Sequence, residues 1–279
     1  MGFLDNIQGI SRKTLVSFFV VDTSGSMTGS KIASVNVALE DTIPELAKLS
    51  DDNADSKIKI AMMEFSTGAR WITNPDHPEE LTDFNFRHFE AGGLTDLGDA
   101  LNELNRKLSR KAFMKSEGED QRGYYAPIIF FFSDGSPTDN WEAALEQLKQ
   151  NNWYKFAIKI AVAIGDDADM SILEKVTGNS ECVVKVKDPK QLKKFIKFAS
   201  ITSAQIGAKS SNISDEETSD ENDINSKKDE VGELIQGFIN DPEFSAPETT
   251  TVDENNNTVD ASTSDDNDTD SDIVDLEGW

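Results

Sequence analysis

LVSFFVVDTSGS, residues 15–26, is the stretch that decides how this chain folds. Leu15 to Val21 is a short, nearly continuous apolar run that stops at Asp22 and gives way to small polar residues around Gly25. An apolar run of that length without alternation suits a β-strand covered on both faces, and such strands require helices on either side of the sheet. The next segment supplies one. Within residues 31–50, Ile32, Val35, Leu39, Ile43, Leu46 and Leu49 recur at spacings of three and four, and Pro44 is expected to kink or split that helix.

Outward from there, strand-like and helix-like segments alternate. Residues 58–65 read as a second strand and 69–73 as a short edge strand. Residues 96–110 carry Leu97, Ala100, Leu101, Leu104 and Leu108 on one helical face, whereas 111–123 is charged, aperiodic and expected to be an exposed loop. Residues 127–132, 156–164 and 183–186 then read as strands, and 141–150, 170–176 and 192–206 as helices. The alternation predicts an α/β, doubly wound, mainly parallel sheet with helices on both faces.

Charge divides the chain. From residue 209 onward, 22 acidic residues stand against 3 lysines, while residues 1–208 carry 30 acidic against 24 basic side chains. The tail is rich in Asp, Asn, Ser and Thr, and lacks the apolar surface needed to offset the entropy of ordering. One folded domain over 1–208 and a disordered acidic tail over 209–279 are therefore expected. Cys182 is the one cysteine, which excludes an intramolecular disulfide and favours a reducing compartment. Arg12 and Lys13 ahead of an apolar run look like the start of a signal peptide, yet the run ends at Asp22 without a small-residue cleavage site. No apolar stretch approaches the roughly 20 residues of a membrane helix. A net charge of -25 opposes nucleic acid and anionic lipid alike. The expectation is a soluble, cytoplasmic protein with neither nucleic acid nor membrane as partner.

In such a sheet, ligands bind beyond the carboxyl ends of the strands, at the point where strand order reverses. Three oxygen-rich loops fall there: Asp22-Thr23-Ser24-Gly25-Ser26, Gly92-Gly93-Leu94-Thr95-Asp96 and Ser133-Asp134-Gly135. Asp22, Ser24 and Ser26 alternate, so a turning backbone aims three oxygens inward. Hydroxyl and carboxylate oxygens suit a hard cation, and Mg²⁺ prefers six oxygens in near-octahedral geometry. A lone Asp-x-Ser-x-Ser more often makes a turn or a helix cap, and Thr95 also suits a cap; the metal reading rests on the three loops together.

These loops resemble the metal-ion-dependent adhesion site (MIDAS) of von Willebrand factor A (VWA) domains, including integrin inserted domains. The resemblance covers about residues 13–207. It implies one Mg²⁺ or Mn²⁺ touched by Ser24, Ser26 and Thr95, with Asp22 and Asp134 in the first or second shell, and a protein partner that offers an Asp or Glu to the metal. Asp96 departs from the pattern, where a less charged residue is expected; it is read either as a carboxylate behind the metal ligands or as a favourable charge at a helix start. The segment Ser133 to Asp139 is similar to the TerY-like bacterial branch, which implies a tellurite-resistance or stress-response complex with a protein kinase and a PP2C-type phosphatase as partners.

Other readings are weaker. A haloacid-dehalogenase-like phosphatase needs a second Asp two residues after the first, and Ser24 stands there without a usable proton. Neither a Walker loop nor a G-x-G-x-x-G follows a strand. The chain is read as a binding module, not an enzyme, with a scaffold that presents its acidic tail around a structural metal as the alternative. Asp166, Asp167 and Asp169 lack the EF-hand pattern and are expected to cap the next helix. His77 and His88 have no ligand partner at zinc spacing, and Trp71, Trp141 and Trp153 are expected to pack in the core or at an edge.

One tail segment departs from its surroundings. Val231, Leu234, Ile235, Phe238 and Ile239 line one helical face, with Gly232 and Gly237 weakening the isolated helix and Pro242 stopping it. Residues 228–240 are read either as a chance cluster or as a docking segment that folds on contact with a groove, on a partner or on this protein's own domain. In the intramolecular case a tail carboxylate is expected to block the metal.

Overall fold

β1 (Lys13–Asp22) is the strand from which the sheet grows on both sides. The computed structural model describes residues 12–53, 56–115, 123–186, 188–208 and 221–245. After β1 come α1 (Ser30–Asp52), β2 (Ser56–Ser66), β3 (Gly68–Trp71), β4 (Glu79–Glu80) and α2 (Leu97–Lys107). β5 (Ile128–Ser133), α3 (Trp141–Leu148), α4 (Asn152–Phe156), β6 (Ile158–Ile164) and α5 (Met170–Thr177) follow. β7 (Val183–Val186), α6 (Pro189–Ala208), α7 (Glu221–Ile239) and α8 (Pro242–Ser245) complete the described elements. The strands lie in the order β3-β2-β1-β5-β6-β7, with β4 also on β2. β1, β2, β5, β6 and β7 are mutually parallel, while β3 and β4 run antiparallel to β2. This is the doubly wound, mainly parallel sheet that the sequence predicts.

The β1 side chains explain why both faces must be covered. Leu15, Phe19 and Val21 enter a core shared with α1 and α6, and Val16, Phe18 and Val20 enter a second core shared with α2, α3 and α5. All six are essentially inaccessible to water, each contributing roughly 1.5–3 kcal/mol by burial. α1 runs unbroken through Pro44. Pro44 and Glu40, whose carbonyl loses its intrahelical donor, are both exposed, so water satisfies the orphaned group and the helix is not split.

Two expectations change. The loop after α2 is not wholly exposed: Phe113 and Met114 are buried, and the Phe113 ring stacks on Phe18 and meets Trp71 edge-on. Two adjacent apolar residues in a charged stretch have no periodicity to reveal them. The larger change lies beyond residue 208. α7 lies in the segment assigned to the disordered tail, and begins well before residue 228. Val231 (2% exposed) and Ile235 (1%) are buried in the core beside Cys182, Phe195 and Ala199, and Phe238 and Ile239 pack against it. Phe238 stacks on Phe198 of α6, with ring centroids 4.0 Å apart, and contacts Phe244 of α8. Gln236 donates to the Glu181 carbonyl. The apolar face therefore docks on this protein's own domain, and only Leu234, 42% exposed, remains turned outward. Residues 209–220 and 246–279 of the acidic tail lie outside the described residues.

Docking of α7 fixes an ordering of mutational effects. Ile235→Ala is expected to cost about 2–4 kcal/mol in urea unfolding, and Leu234→Ala to stay within about 0.5 kcal/mol. Equal effects at the two positions would mean that α7 is not seated as described.

Candidate metal centre

Strand order places the site. The chain leaves β1 toward β2 on one side and returns to β5 on the other, so the carboxyl ends of β1 and β5 flank the point where strand order reverses. Val21 pairs with Phe132 in the parallel register. The next residues, Asp22 and Ser133, therefore meet side by side, and Ser133 Oγ donates to Asp22 Oδ2 at 2.6 Å. Asp22 is fully buried; its other oxygen, Oδ1, accepts the Ser24 N–H at 2.9 Å. Burial pushes the Asp22 carboxyl above its ordinary pKa against the lowering effect of hydrogen bonding from Ser133 and from the side chain and backbone of Ser24, and the charge of Asp134 adds to the upward push.

The loop after β1 then turns. Ser24 and Ser26 bring their hydroxyls within 3.0 Å of each other. The second loop is tied to the first through its backbone: Gly92 N–H donates to Thr23 O at 2.8 Å, and Gly25 N–H to Gly93 O at 3.1 Å. Thr95 is buried, and its N–H donates to Thr138 Oγ1 at 3.0 Å while its carbonyl accepts from the Thr138 N–H at 2.9 Å. Asp139 accepts from Gly98 N–H in the first turn of α2 at 2.8 Å. Burial raises the pKa of that carboxyl, opposed by this bond. The structure thus brings the loops that carry Asp22, Ser24, Ser26, Thr95 and Asp134 into one hydrogen-bonded unit.

Asp134 is also buried. Its Oδ2 accepts from Lys31 Nζ at 3.1 Å, its carbonyl accepts from Asp169 N–H at 2.7 Å, and its Oδ1 is inaccessible with no hydrogen-bond partner among the described residues. The neighbouring Gly135 has φ +71°, and a Cβ there would lie 2.5 Å from the Asp169 carbonyl oxygen. Asp169 in turn accepts from the Ser171 N–H and caps α5, the role expected for that acidic loop.

Asp96 takes the second of the two roles read for it from sequence, a carboxylate at the start of a helix, and a further one that the sequence did not suggest. It stands at the N-cap position of α2 without a side-chain cap, and its Oδ2 accepts from Gly68 N–H at 2.9 Å, holding the turn between β2 and β3. Lys31, Thr138 and Asp139 are site residues that spacing did not single out, because each meets its partner only through the tertiary fold. Trp141 and Trp153 are buried, Trp71 packs on Phe18 and Phe113, and His88 pairs with Glu40. Among the described residues, no group of three or more His, Cys, Asp or Glu side chains is arranged for a metal; the donor set here is two carboxylates among hydroxyls.

A family model, von Willebrand factor type A domain, matches residues 18–198, well over half of the chain. The chain belongs to the VWA domain family. No curated protein matches it. Among solved structures, this VWA domain is similar to the ArnB paralog VWA2 of Sulfolobus acidocaldarius at 19% identity and a TM-score of 0.48, over 68% of this chain and 46% of that one. Proximal thread matrix protein 1 from the mussel byssus, with a zinc-occupied MIDAS motif, is similar at 17% identity and a TM-score of 0.48, over 67% and 47% of the two chains. The manganese-loaded TRAP protein of Plasmodium vivax is similar at 18% identity and a TM-score of 0.45, over 66% and 72%. The VWA chain described here thus spans less than half the length of the archaeal and mussel proteins.

Gly135→Ala combines a left-handed backbone with a backbone collision, and is expected to destabilise the VWA domain by more than about 1 kcal/mol in urea unfolding. An unchanged midpoint would show that the β5 and β6 loops are not locked as described.

Proposed function

We propose that this VWA domain binds one divalent cation, Mg²⁺ or Mn²⁺, and uses it to grip an Asp or Glu side chain of a protein partner. Ser24, Ser26 and Thr95 would touch the metal, with Asp22 and Asp134 in its first or second shell. The observation that carries the reading is Asp134 Oδ1, a buried carboxylate oxygen without a partner among the described residues, in a site where a second carboxylate is already fully buried. Such a group costs free energy unless a cation or donor compensates it, and the surrounding hard oxygens fit Mg²⁺ or Mn²⁺. Neutral hydroxyls as direct ligands, with carboxylate charge held partly behind them, would leave the ion with attraction for a further anionic ligand, which a partner carboxylate would supply.

Leu94 adds to the partner surface. It is 55% exposed, next to Thr95, in a loop fixed by hydrogen bonds from Gly92, Leu94 and Thr95 backbone N–H groups. VWA domains typically act as interaction modules, and the reading assigns this chain no catalysis. The similarity of Ser133 to Asp139 to the TerY-like branch supports a bacterial stress-response or tellurite-resistance complex, with a protein kinase and a PP2C-type phosphatase among the partners. The single buried Cys182 supports a cytoplasmic setting. Among the described residues, no helix is long and apolar enough to cross a membrane.

Mn²⁺ paramagnetic resonance on the full chain tests the site. One ion per chain is expected, Asp22→Ala and Asp134→Ala should abolish binding, and Ser133→Ala, which removes the hydroxyl that orients Asp22 and accepts the Gly135 N–H, should weaken it roughly 10–100-fold. Unchanged stoichiometry in both aspartate variants would sink the assignment. Thr95→Ala is expected to reduce capture of partner from native extract more than it reduces Mn²⁺ affinity. Capture that survives EDTA, yet is lost on deleting residues 247–279, would favour the tail-presenting scaffold instead.

A further inference from the structure

Lys31 sits in the first turn of α1, a helix that begins four residues after the last serine of the metal loop. Its ammonium lies 3.1 Å from Asp134 Oδ2 and 2.8 Å from Asp167 Oδ1. The two carboxylates differ in environment: the Asp134 side chain is 3% exposed and the Asp167 side chain 73%. Water screens the second contact, so the interaction with Asp134 is the stronger of the two. The lysine stem is seated by the turn after β6. Gly165 there has φ +94°, and a Cβ in its place would lie 2.5 Å from Lys31 Cε and 3.3 Å from Nζ. The chain thus leaves a slot for this side chain at the mouth of the site. Asp134 divides its oxygens accordingly, Oδ2 to Lys31 and Oδ1 to no described group.

We propose that Lys31 is a tethered cation that shares Asp134 with the divalent ion, compensating the buried carboxylates when the ion is away and lowering the ion's affinity when it is present. This rests on the metal-binding reading above. Asp22 and Asp134 are two carboxylates in a poorly solvated site, and uncompensated charge there weakens the fold. Lys31 supplies one positive charge from within the chain. A metal ion held by Asp134, directly or through water, would face that charge across the same carboxylate group, where repulsion is screened far less than at the surface. The lysine makes the site stable without metal and makes metal binding readily reversible; both effects come from one ion pair.

The two effects have opposite signatures on removing the charge. Lys31→Met and Lys31→Gln should lower the melting temperature of the EDTA-treated full chain, raise Mn²⁺ affinity by about tenfold or more, and enlarge the rise in melting temperature that saturating Mn²⁺ produces. Lys31→Arg keeps the charge and should stay within about threefold of the wild-type affinity. Glutamine retains an amide donor without carrying charge, so it separates compensation from simple positioning and serves if the methionine variant folds poorly. Weaker Mn²⁺ binding in both neutral variants would overturn the proposal in favour of a lysine that merely positions Asp134. Affinity equal to wild type in both would make Lys31 a bystander. A wild-type chain that binds no Mn²⁺ would overturn the metal reading as well, an outcome distinct from the other two.

Discussion

Asp22 is a carboxylate with no access to water at the end of the central strand, and the rest of the site is arranged around that constraint. Removing a charged group from solvent costs several kcal/mol in real proteins unless it is hydrogen-bonded or paired. Here the compensation comes from two directions: the backbone N–H of Ser24 two residues along, and the hydroxyl of Ser133 on the neighbouring strand. The second is available only because β1 and β5 are adjacent and parallel in the register that sets Val21 beside Phe132. Slipping that register by one residue would turn the apolar side chains of one strand to the wrong core and withdraw the hydroxyl from the carboxylate.

From that bond outward, the strand-end loops behave as one body. The first two are joined by backbone hydrogen bonds, and Thr138 joins the loop after β5 to Thr95. Asp134 receives the backbone of Asp169, so the turn after β6 is included too. Loops that carry function on a rigid sheet usually move more than their scaffold. Here the cross-links hold the hydroxyls and carboxylates in place before any ligand arrives, which reduces the ordering cost of binding. The exposed positions left on this rigid surface include Ser26 and Leu94, a hydroxyl and an apolar side chain.

The acidic tail shows how composition can mislead over short stretches. Averaged over 209–279, charge and polarity oppose folding, yet α7 needs only one narrow apolar stripe because α6 and the turn before β7 provide the other half of its core. Acidic residues of α7 such as Asp229, Glu230 and Glu233 remain exposed, where they cost nothing in desolvation. The isolated segment would be a marginal helix; burial of Val231 and Ile235 supplies what local propensity lacks.

Much of the architecture was legible in the chain itself. The unalternating run at 15–21 demands burial on both faces, the threefold and fourfold spacings mark the helices, and Asp22, Ser24 and Ser26 declare an oxygen-rich turn at a strand end, because these signals are local and periodic. The three oxygen-rich loops that carry the five candidate ligands could also be placed, since a doubly wound sheet brings the carboxyl ends of its central strands to one place; the ligand roles themselves came from the resemblance to a MIDAS. What the sequence could not convey are pairings between residues with no fixed spacing. Lys31 meets Asp134 across 103 positions, Ser133 meets Asp22 across 111, and Thr138 meets Thr95 across 43. Asp96 could be assigned only when its carboxylate was found on Gly68, and the stripe on α7 only when a matching groove was found within the same chain. Local periodicity determines which segments form and which face they bury; the hydrogen bonds and ion pairs that tune the site depend on strand register and helix packing, which exist only once the chain has folded.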